Sequence, residues 1–404
     1  MEQTREYDVI IFGATGFTGG YVVDYMHQAY ADGNLKWAVA GRNPAKLEAL
    51  VGQKDIGGIS VLQADAMDPK SMQELVRKTR VVLTTVGPYA RYGSELVAAC
   101  AANGTHYCDL TGETHWMREM IEQHQAMARD SGAIIVPTCG FDSIPSDLGA
   151  YFLQREMLKR TGAPASHIKY RTRDMKGGFS GGTLDSMMAM MEKAETEPTL
   201  FETIADPYVL NFAERGLDGP DTYKSYFDDD FDGWVAPFVM ASINTRVVRR
   251  SNELLDFMYG HDFRYEEGMY VGQGAKGALT ANAFAMGMAA MNRLPRIRPI
   301  RQAMQKILPK PGEGPTPDEV ENGFFEVELM AKGRTPAEDL RVCVKGQQDP
   351  GYGATAKMLA ESAVALAQDE LGVGGGFWTP ASAMGDQLLE RLPENADVTF
   401  EPVA

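Results

Sequence analysis

Cysteine is scarce and dispersed. The four in 404 residues are Cys100, Cys108, Cys139 and Cys343; none forms a Cys-x-x-Cys pair, and no histidine cluster accompanies them. Neither a disulfide framework nor a zinc site is expected, and no metal is assigned. Long apolar runs are missing as well: no stretch reaches the roughly 18 apolar residues of a transmembrane helix. Positive charge is in deficit, with 39 Lys and Arg against 55 Asp and Glu and a formal net charge of -16. Averaged over the surface, that balance argues against binding to nucleic acid or to an anionic membrane. No leader pattern opens the chain, so a reducing cytoplasm is the expected location. Internal repeats and low-complexity segments are absent from the sequence.

What is present is a rhythm. Short apolar runs at 9–12, 37–40, 59–62, 81–86, 106–110 and 133–137 alternate with helical patterns at 19–29, 44–50, 71–78, 94–102 and 115–130, and a further helix is expected over 145–159. Such alternation means successive βα units, and near-continuous apolar strands fit a parallel sheet covered on both faces. The fold class is therefore α/β, a Rossmann-like doubly wound sheet over residues 1–160. From about 165 the alternation stops. "IKYRT", "FVMASINTRVV" and "FFEVELMAKG" read as strands of an α+β domain over 161–345. Residues 354–370 form the clearest late helix. The loop "GVGGGFWTPASAM" is expected to lead a C-terminal segment, 346–404, back to the first domain.

The first apolar run feeds directly into glycine: "YDVIIFGATGFTGG", residues 7–20. Gly13, Gly16 and Gly19 are spaced three apart between a predicted strand and a predicted helix. In that context the first glycine permits a tight turn, the second lets backbone amides approach a pyrophosphate, and the third allows close helix–strand packing. The helix N-terminus adds partial positive charge, and Thr15 and Thr18 add hydroxyls beside Phe17. A glycine turn of purely structural purpose is the competing reading. The end of the second strand discriminates between cofactors. NAD sites often place an acid there; "WAVAGRNPAKL" has none and offers Arg42, with Lys46 one turn on. A guanidinium there suits a 2′-phosphate, so NADP is the expected cofactor. "TTVGPYARYG" closes the fourth strand, where Val86, Gly87 and Pro88 would wall the ribose and nicotinamide. Tyr89 and Tyr92 either reach into that space or pack. Asp65, after the third strand, either lies near the adenine or is a solvated loop acid.

Seven segments then resemble one family: "GATGFTG" (13–19), "AGR" (40–42), "VGPYARYG" (86–93), "YCDLTGE" (107–113), "GFDSIPSDLG" (140–149), "SGGT" (180–183) and "DPGYGATAKM" (349–358). In this order they resemble the saccharopine-dehydrogenase-like oxidoreductases, and within them the trans-acting enoyl reductases. The resemblance implies an NADP-type Rossmann domain, completed by a C-terminal segment and carrying an inserted α+β domain. It leaves the substrate open.

Reducing a C=C bond conjugated to a carbonyl needs a donor that polarises the carbonyl oxygen and a proton for the α-carbon. Tyr89, Tyr107 and Ser143 are the candidate donors; Asp142 and Asp109 would orient them or act as acids. Ser143 or Ser146 capping a helix that opens at Pro145, and Asp109 and Glu113 tying down a loop, are the structural alternatives. None of the six histidines sits in a motif. The expected substrate is a small apolar acyl or isoprenoid-like molecule, carrier-bound or dissolved in a membrane. An imine of an amino acid is the alternative, and an NADP-holding membrane adaptor without turnover is a third. The glycine-rich "KGGFSGGT" (176–183) reads as a structural turn, or as a loop that binds an anion or lines a substrate channel, and the methionine-rich stretches read as core, or as walls for a flexible apolar ligand. Residues 292–310 carry six basic residues and no acid. They read as a solvated face, or as a dock for an acidic carrier or an anionic membrane. A homodimer is expected.

Overall fold

Alternate residues of a strand point to opposite faces, and in the central strands here both faces are apolar. Val9 and Ile11 enter one core; Ile10 and Phe12 enter the other. Val81 and Leu83 oppose Val82 in the same way. A surface buried on both sides must be covered by helices on both sides, which is the physical content of the doubly wound fold. Each fully buried aliphatic side chain in these strands contributes about 1.5–3 kcal/mol. The computed structural model describes residues 5–31, 33, 35–177, 181–197, 199–294, 297, 301 and 314–403.

The first domain contains β1 (Tyr7–Phe12), α1 (Phe17–Tyr30), β2 (Trp37–Gly41), α2 (Pro44–Gln53), β3 (Ser60–Gln63), α3 (Pro69–Val76) and β4 (Thr79–Thr84). It continues with α4 (Tyr89–Tyr92), α5 (Ser94–Asn103), β5 (His106–Cys108), α6 (Thr114–Ser131), β6 (Ile134–Val136) and α7 (Ile144–Thr161). The strands are parallel in the order β3-β2-β1-β4-β5-β6. Strand order reverses between β1 and β4, where Val9 pairs with Val81. A crevice opens at such a reversal, beyond the C-terminal ends of the strands.

The second domain follows as β7 (His167–Lys176), α8 (Gly181–Thr196), α9 (Leu200–Ala205), β8 (Tyr226–Asp228), β9 (Gly233–Ala236), α10 (Ala241–Leu254) and β10 (Arg264–Tyr270). Then come α11 (Gly274–Arg293), α12 (Pro317–Glu321), β11 (Phe324–Lys332) and β12 (Leu340–Gln347). The chain ends with α13 (Gly353–Gln368), β13 (Gly376–Phe377), α14 (Pro380–Asn395) and β14 (Val398–Pro402). The second sheet is mixed, in the order β14-β12-β11-β7-β10-β9-β8, with only β7 and β10 parallel among the described pairs.

Two expectations are corrected. "FVMASINTRVV" is not a strand: from Ala241 it is helix α10. Its β-branched residues look like a strand locally, but tertiary contacts override propensity. Val247 and Val248 are fully buried, and two arginines on the same helix clamp the 204–221 region. Arg246 binds Asp221 at 2.6 Å, Arg249 binds Asp218 at 2.6 Å, and Arg246 also donates to the carbonyls of Ile204 and Ala205. The C-terminal segment also divides. α13 packs across β1, β4 and β5, and β13 adds to the edge of β6 in the first sheet. β14 instead crosses to the second sheet and pairs with β12, Val344 against Phe400. One core therefore runs through both sheets. Buried Asp147 on α7 fastens the junction, accepting the amide of Ala381 at 2.8 Å and the hydroxyl of Ser251.

Candidate active site at the sheet switch point

The glycine loop is built from backbone contacts that exclude side chains. Gly13 has φ +97°, and a Cβ there would lie 2.7 Å from a methyl of Val86. A Cβ on Gly19 would collide with the carbonyl oxygen of Gly13, so α1 sits tight against the strand end. Gly16 differs: it is exposed, and a Cβ there would meet only the Gly13 carbonyl at 3.2 Å. Gly16 is the N-cap of α1 and no side chain caps that helix, which leaves its first amides facing the crevice. Among the described residues no hydrogen bond occupies the hydroxyls of Thr15 and Thr18, and Thr15 is exposed. The ring of Phe17 packs edge-on against Tyr352 of the C-terminal segment, with centroids 4.6 Å apart. A dinucleotide pyrophosphate fits this cradle: the first amides of α1 are uncapped, and Gly16, exposed above them, has only the Gly13 carbonyl close to where a side chain would start.

Arg42 and Lys46 are both exposed at the end of β2, and among the described residues neither enters an ion pair. Asn43 caps α2 by accepting the amide of Lys46 at 3.2 Å, which fixes the turn that presents Arg42. Asp65 is exposed and accepts the amide of Met67 at 3.0 Å, so one of its oxygens serves its own loop.

The β4 loop forms the opposite wall. Thr85 donates its amide to Phe12 and its hydroxyl to Gly13, which joins this loop to the glycine loop. Val86 is half-buried, Gly87 exposed and Pro88 buried. Tyr89 is buried; its hydroxyl donates to the Thr84 carbonyl at 3.3 Å and accepts the Leu110 amide at 3.1 Å. Burial, with the charge of Asp109, pushes its pKa well above the ordinary value. Tyr107 is fully buried inside the sheet and donates to Asp109 at 2.6 Å. Both phenols are thus spent on the protein, and neither presents a free hydroxyl as a carbonyl-polarising donor. Ser143 is buried and donates to Asn244 at 3.2 Å; its side chain does not cap α7.

Asp142 stands apart. It is partly exposed, and its Oδ2 has no hydrogen-bond partner among the described residues. Burial of the carboxyl and then the charge of Asp109 push its pKa up to about 7. Asp109 is itself raised to about 7 by burial, against the lowering effect of hydrogen bonds from Tyr107 and the amides of Thr111 and Thr138. Beyond the end of β6, within electrostatic reach of Tyr89 and Asp109, the chain thus carries an acid raised to about 7 whose buried Oδ2 has no partner among the described residues.

Glu113 ties down the loop, one of its readings from sequence, whereas Thr355, Asn244 and His115 carried no local signal. Glu113 accepts the amides of Tyr89 and Ala90 at 2.8 and 2.9 Å, as well as the Ser186 hydroxyl of α8 at 3.0 Å. Thr355 of α13 accepts the Phe141 amide at 2.9 Å across 214 residues of chain. Asn244 donates to Glu267 at 3.0 Å, extending the Ser143 bond into the second sheet, and burial raises the Glu267 pKa to about 7. His115, in the first turn of α6, is buried with both ring nitrogens unpartnered among the described residues, and burial takes its pKa down to about 4. Of "KGGFSGGT", residues 178–180 lie outside the described residues, as does most of 292–310, including Arg296 and Arg298. Among the described residues no group of His, Cys, Asp and Glu is placed to hold a metal, and no helix is long and apolar enough to cross a membrane.

A parallel sheet with this glycine cradle and this strand order defines a dinucleotide-binding Rossmann protein. Residues 9–136 match the saccharopine dehydrogenase NADP binding domain family. A Mycobacterium tuberculosis relative is 41% identical, with 96% of each chain covered. The trans-acting enoyl reductase of Mycobacterium ulcerans is 37% identical over 98% of this chain and 97% of its own; that of Mycobacterium bovis is 36% identical over 96% of each. The Saccharomyces cerevisiae saccharopine dehydrogenase (L-Glu forming) superposes with a TM-score of 0.55 over 98% of this chain and 100% of its own, at 11% identity. That likeness shows the fold alone. This chain belongs to the saccharopine-dehydrogenase-like oxidoreductases, among the trans-acting enoyl reductases.

Proposed function

We propose that this protein reduces a C=C bond conjugated to a carbonyl in an apolar acyl substrate, using NADPH. The observation that carries the reading is the Asp142 carboxyl beyond the end of β6, raised to about 7 beside Tyr89 and Asp109, with a buried Oδ2 that has no partner among the described residues. When bound, the cofactor would supply hydride to the β-carbon. The protein's part is to hold the cofactor by the first amides of α1, to receive a 2′-phosphate at Arg42 and Lys46, and to keep a proton on Asp142 for the α-carbon. Full-length similarity to enoyl reductases supports this choice of bond.

The second domain argues against a polycarboxylate imine. Such a substrate needs free cations, yet Arg171 is bound to Asp228 at 2.5 Å and Arg246, Arg249 and Arg250 are each paired with an acid at 2.6 Å. The test is single-turnover reduction of a long-chain enoyl thioester with NADPH deuterated at the nicotinamide C4. Deuterium should appear at the β-carbon, and Asp142→Asn should slow the step by about 100-fold. Turnover of an imine but not the enoyl thioester would replace this reading, and NADPH binding without turnover of either would leave an adaptor.

A further inference from the structure

Helix α11 turns its apolar side away from the protein. It is anchored at Gly277 and Ala281, both buried, and by a hydrogen bond of 2.9 Å from Ser225 to Asn282. Beyond Ala281 no described side chain of the helix is buried. Leu279, Ala283, Met286 and Ala290 recur at i, i+4, i+7 and i+11, which places them in one stripe opposite the anchored face. Leu279 is 74% exposed, Met286 69%, and Phe284 on the flank 45%. Leu294 and Ile297 continue the exposed apolar surface. An ordinary surface helix buries its apolar stripe and exposes charge; α11 does the reverse.

The charge pattern says what covers this face. Between Lys276 and Arg293 the helix carries no charge, and the sequence holds no acid from 268 to 312 although the chain as a whole is at -16. Every charge in that interval is Lys or Arg. An acidic protein partner would call for cations spaced along the stripe, and the stripe has none. A second copy packed antiparallel on the stripe would set Lys276 of one chain against Arg293 of the other. A bilayer meets both features, because an interfacial helix buries its apolar face at the acyl boundary while cations at its ends reach lipid phosphate.

We propose that α11 is a peripheral membrane anchor, seating the Leu279–Met286 face in the boundary of an anionic bilayer. The proposal does not depend on which bond the enzyme reduces. It is tested by flotation of the full chain with phosphatidylcholine vesicles made with and without phosphatidylglycerol. The protein should float with the anionic vesicles, remain behind with the neutral ones, and be released by salt. Leu279→Glu with Met286→Glu should weaken vesicle binding by about tenfold or more while NADPH titration stays unchanged, showing that the variant is folded. Failure of the parent to float, equal flotation on neutral vesicles, or equal flotation of the double variant would each overturn the proposal. So would a dimer in solution that the double variant converts to a monomer, because the face would then join two copies.

Discussion

The carboxylate of Glu113 accepts the backbone amide of Tyr89 at 2.8 Å. With its other oxygen on the Ala90 amide, this one side chain caps the short helix α4 and holds the wall of the cofactor crevice. Glu113→Ala leaves one buried and one partly buried amide without this acceptor, at a cost of about 1–3 kcal/mol. Chemical denaturation should show that loss, and the NADPH dissociation constant should rise severalfold because the Val86–Pro88 wall loosens. Glu113→Gln, which keeps one acceptor oxygen, should lose less on both counts. An alanine variant unchanged in stability and affinity would remove Glu113 from this role.

Gly16 and Gly19 predict opposite outcomes when a side chain is added. Gly16→Val should fold, since its side chain would point into the open crevice, and should weaken NADPH binding by about 100-fold or more by displacing the phosphate from the α1 amides. Gly19→Ala should instead destabilise the fold by about 1–3 kcal/mol, because its Cβ drives against the Gly13 carbonyl. Thermal unfolding and cofactor fluorescence together separate the two. Tight NADPH binding by a folded Gly16→Val variant would refute the placement of the pyrophosphate.

Arg42 should govern cofactor choice. Arg42→Asp removes a charge-assisted contact worth about 1.5–3 kcal/mol and adds an acceptor for a ribose hydroxyl. NADPH affinity should fall by about 10- to 100-fold and NADH affinity should rise. Equal affinity of the parent for the two cofactors would count against the assignment.

Stability should fall as pH rises from about 5 to 8. Asp109, Asp142, Asp147 and Glu267 are each raised by burial to about 7, so in that window the folded chain holds protons that the unfolded chain, with carboxyl pKa values near 4, has released. More protons bound when folded means that stability declines with rising pH until these groups have ionised. His106 and His115, held neutral by burial down to about 4, oppose that slope below their ordinary value near 6.5, so the decline is clearest above it. Urea midpoints at pH 5.5 and 8 measure the slope, and Asp142→Asn should flatten it. A midpoint that climbs over this range would contradict the burial of these acids.

What the sequence determined by itself is local and periodic. β1, the glycine turn and α1 form one contiguous stretch, so Gly13, Gly16 and Gly19 could be read from spacing, and Arg42 from its place after β2. The strands over 7–136 were legible because a sheet buried on both faces writes unbroken apolar runs. The tertiary structure alone decided the rest. α10 is a helix because Arg246 and Arg249 find acids 25 and 31 residues away, which no local pattern encodes. Tyr89 and Tyr107 could be named from sequence as donors, but only packing turns their hydroxyls into the protein. Asp142 is set apart from the other acids near it by a buried oxygen with no partner among the described residues. That is a property of its surroundings, assembled from β6, α13 and the second sheet by contacts spanning 100 to more than 200 residues. Side-chain chemistry is written residue by residue. Burial and the partner that satisfies or abandons a polar atom exist only once distant segments meet.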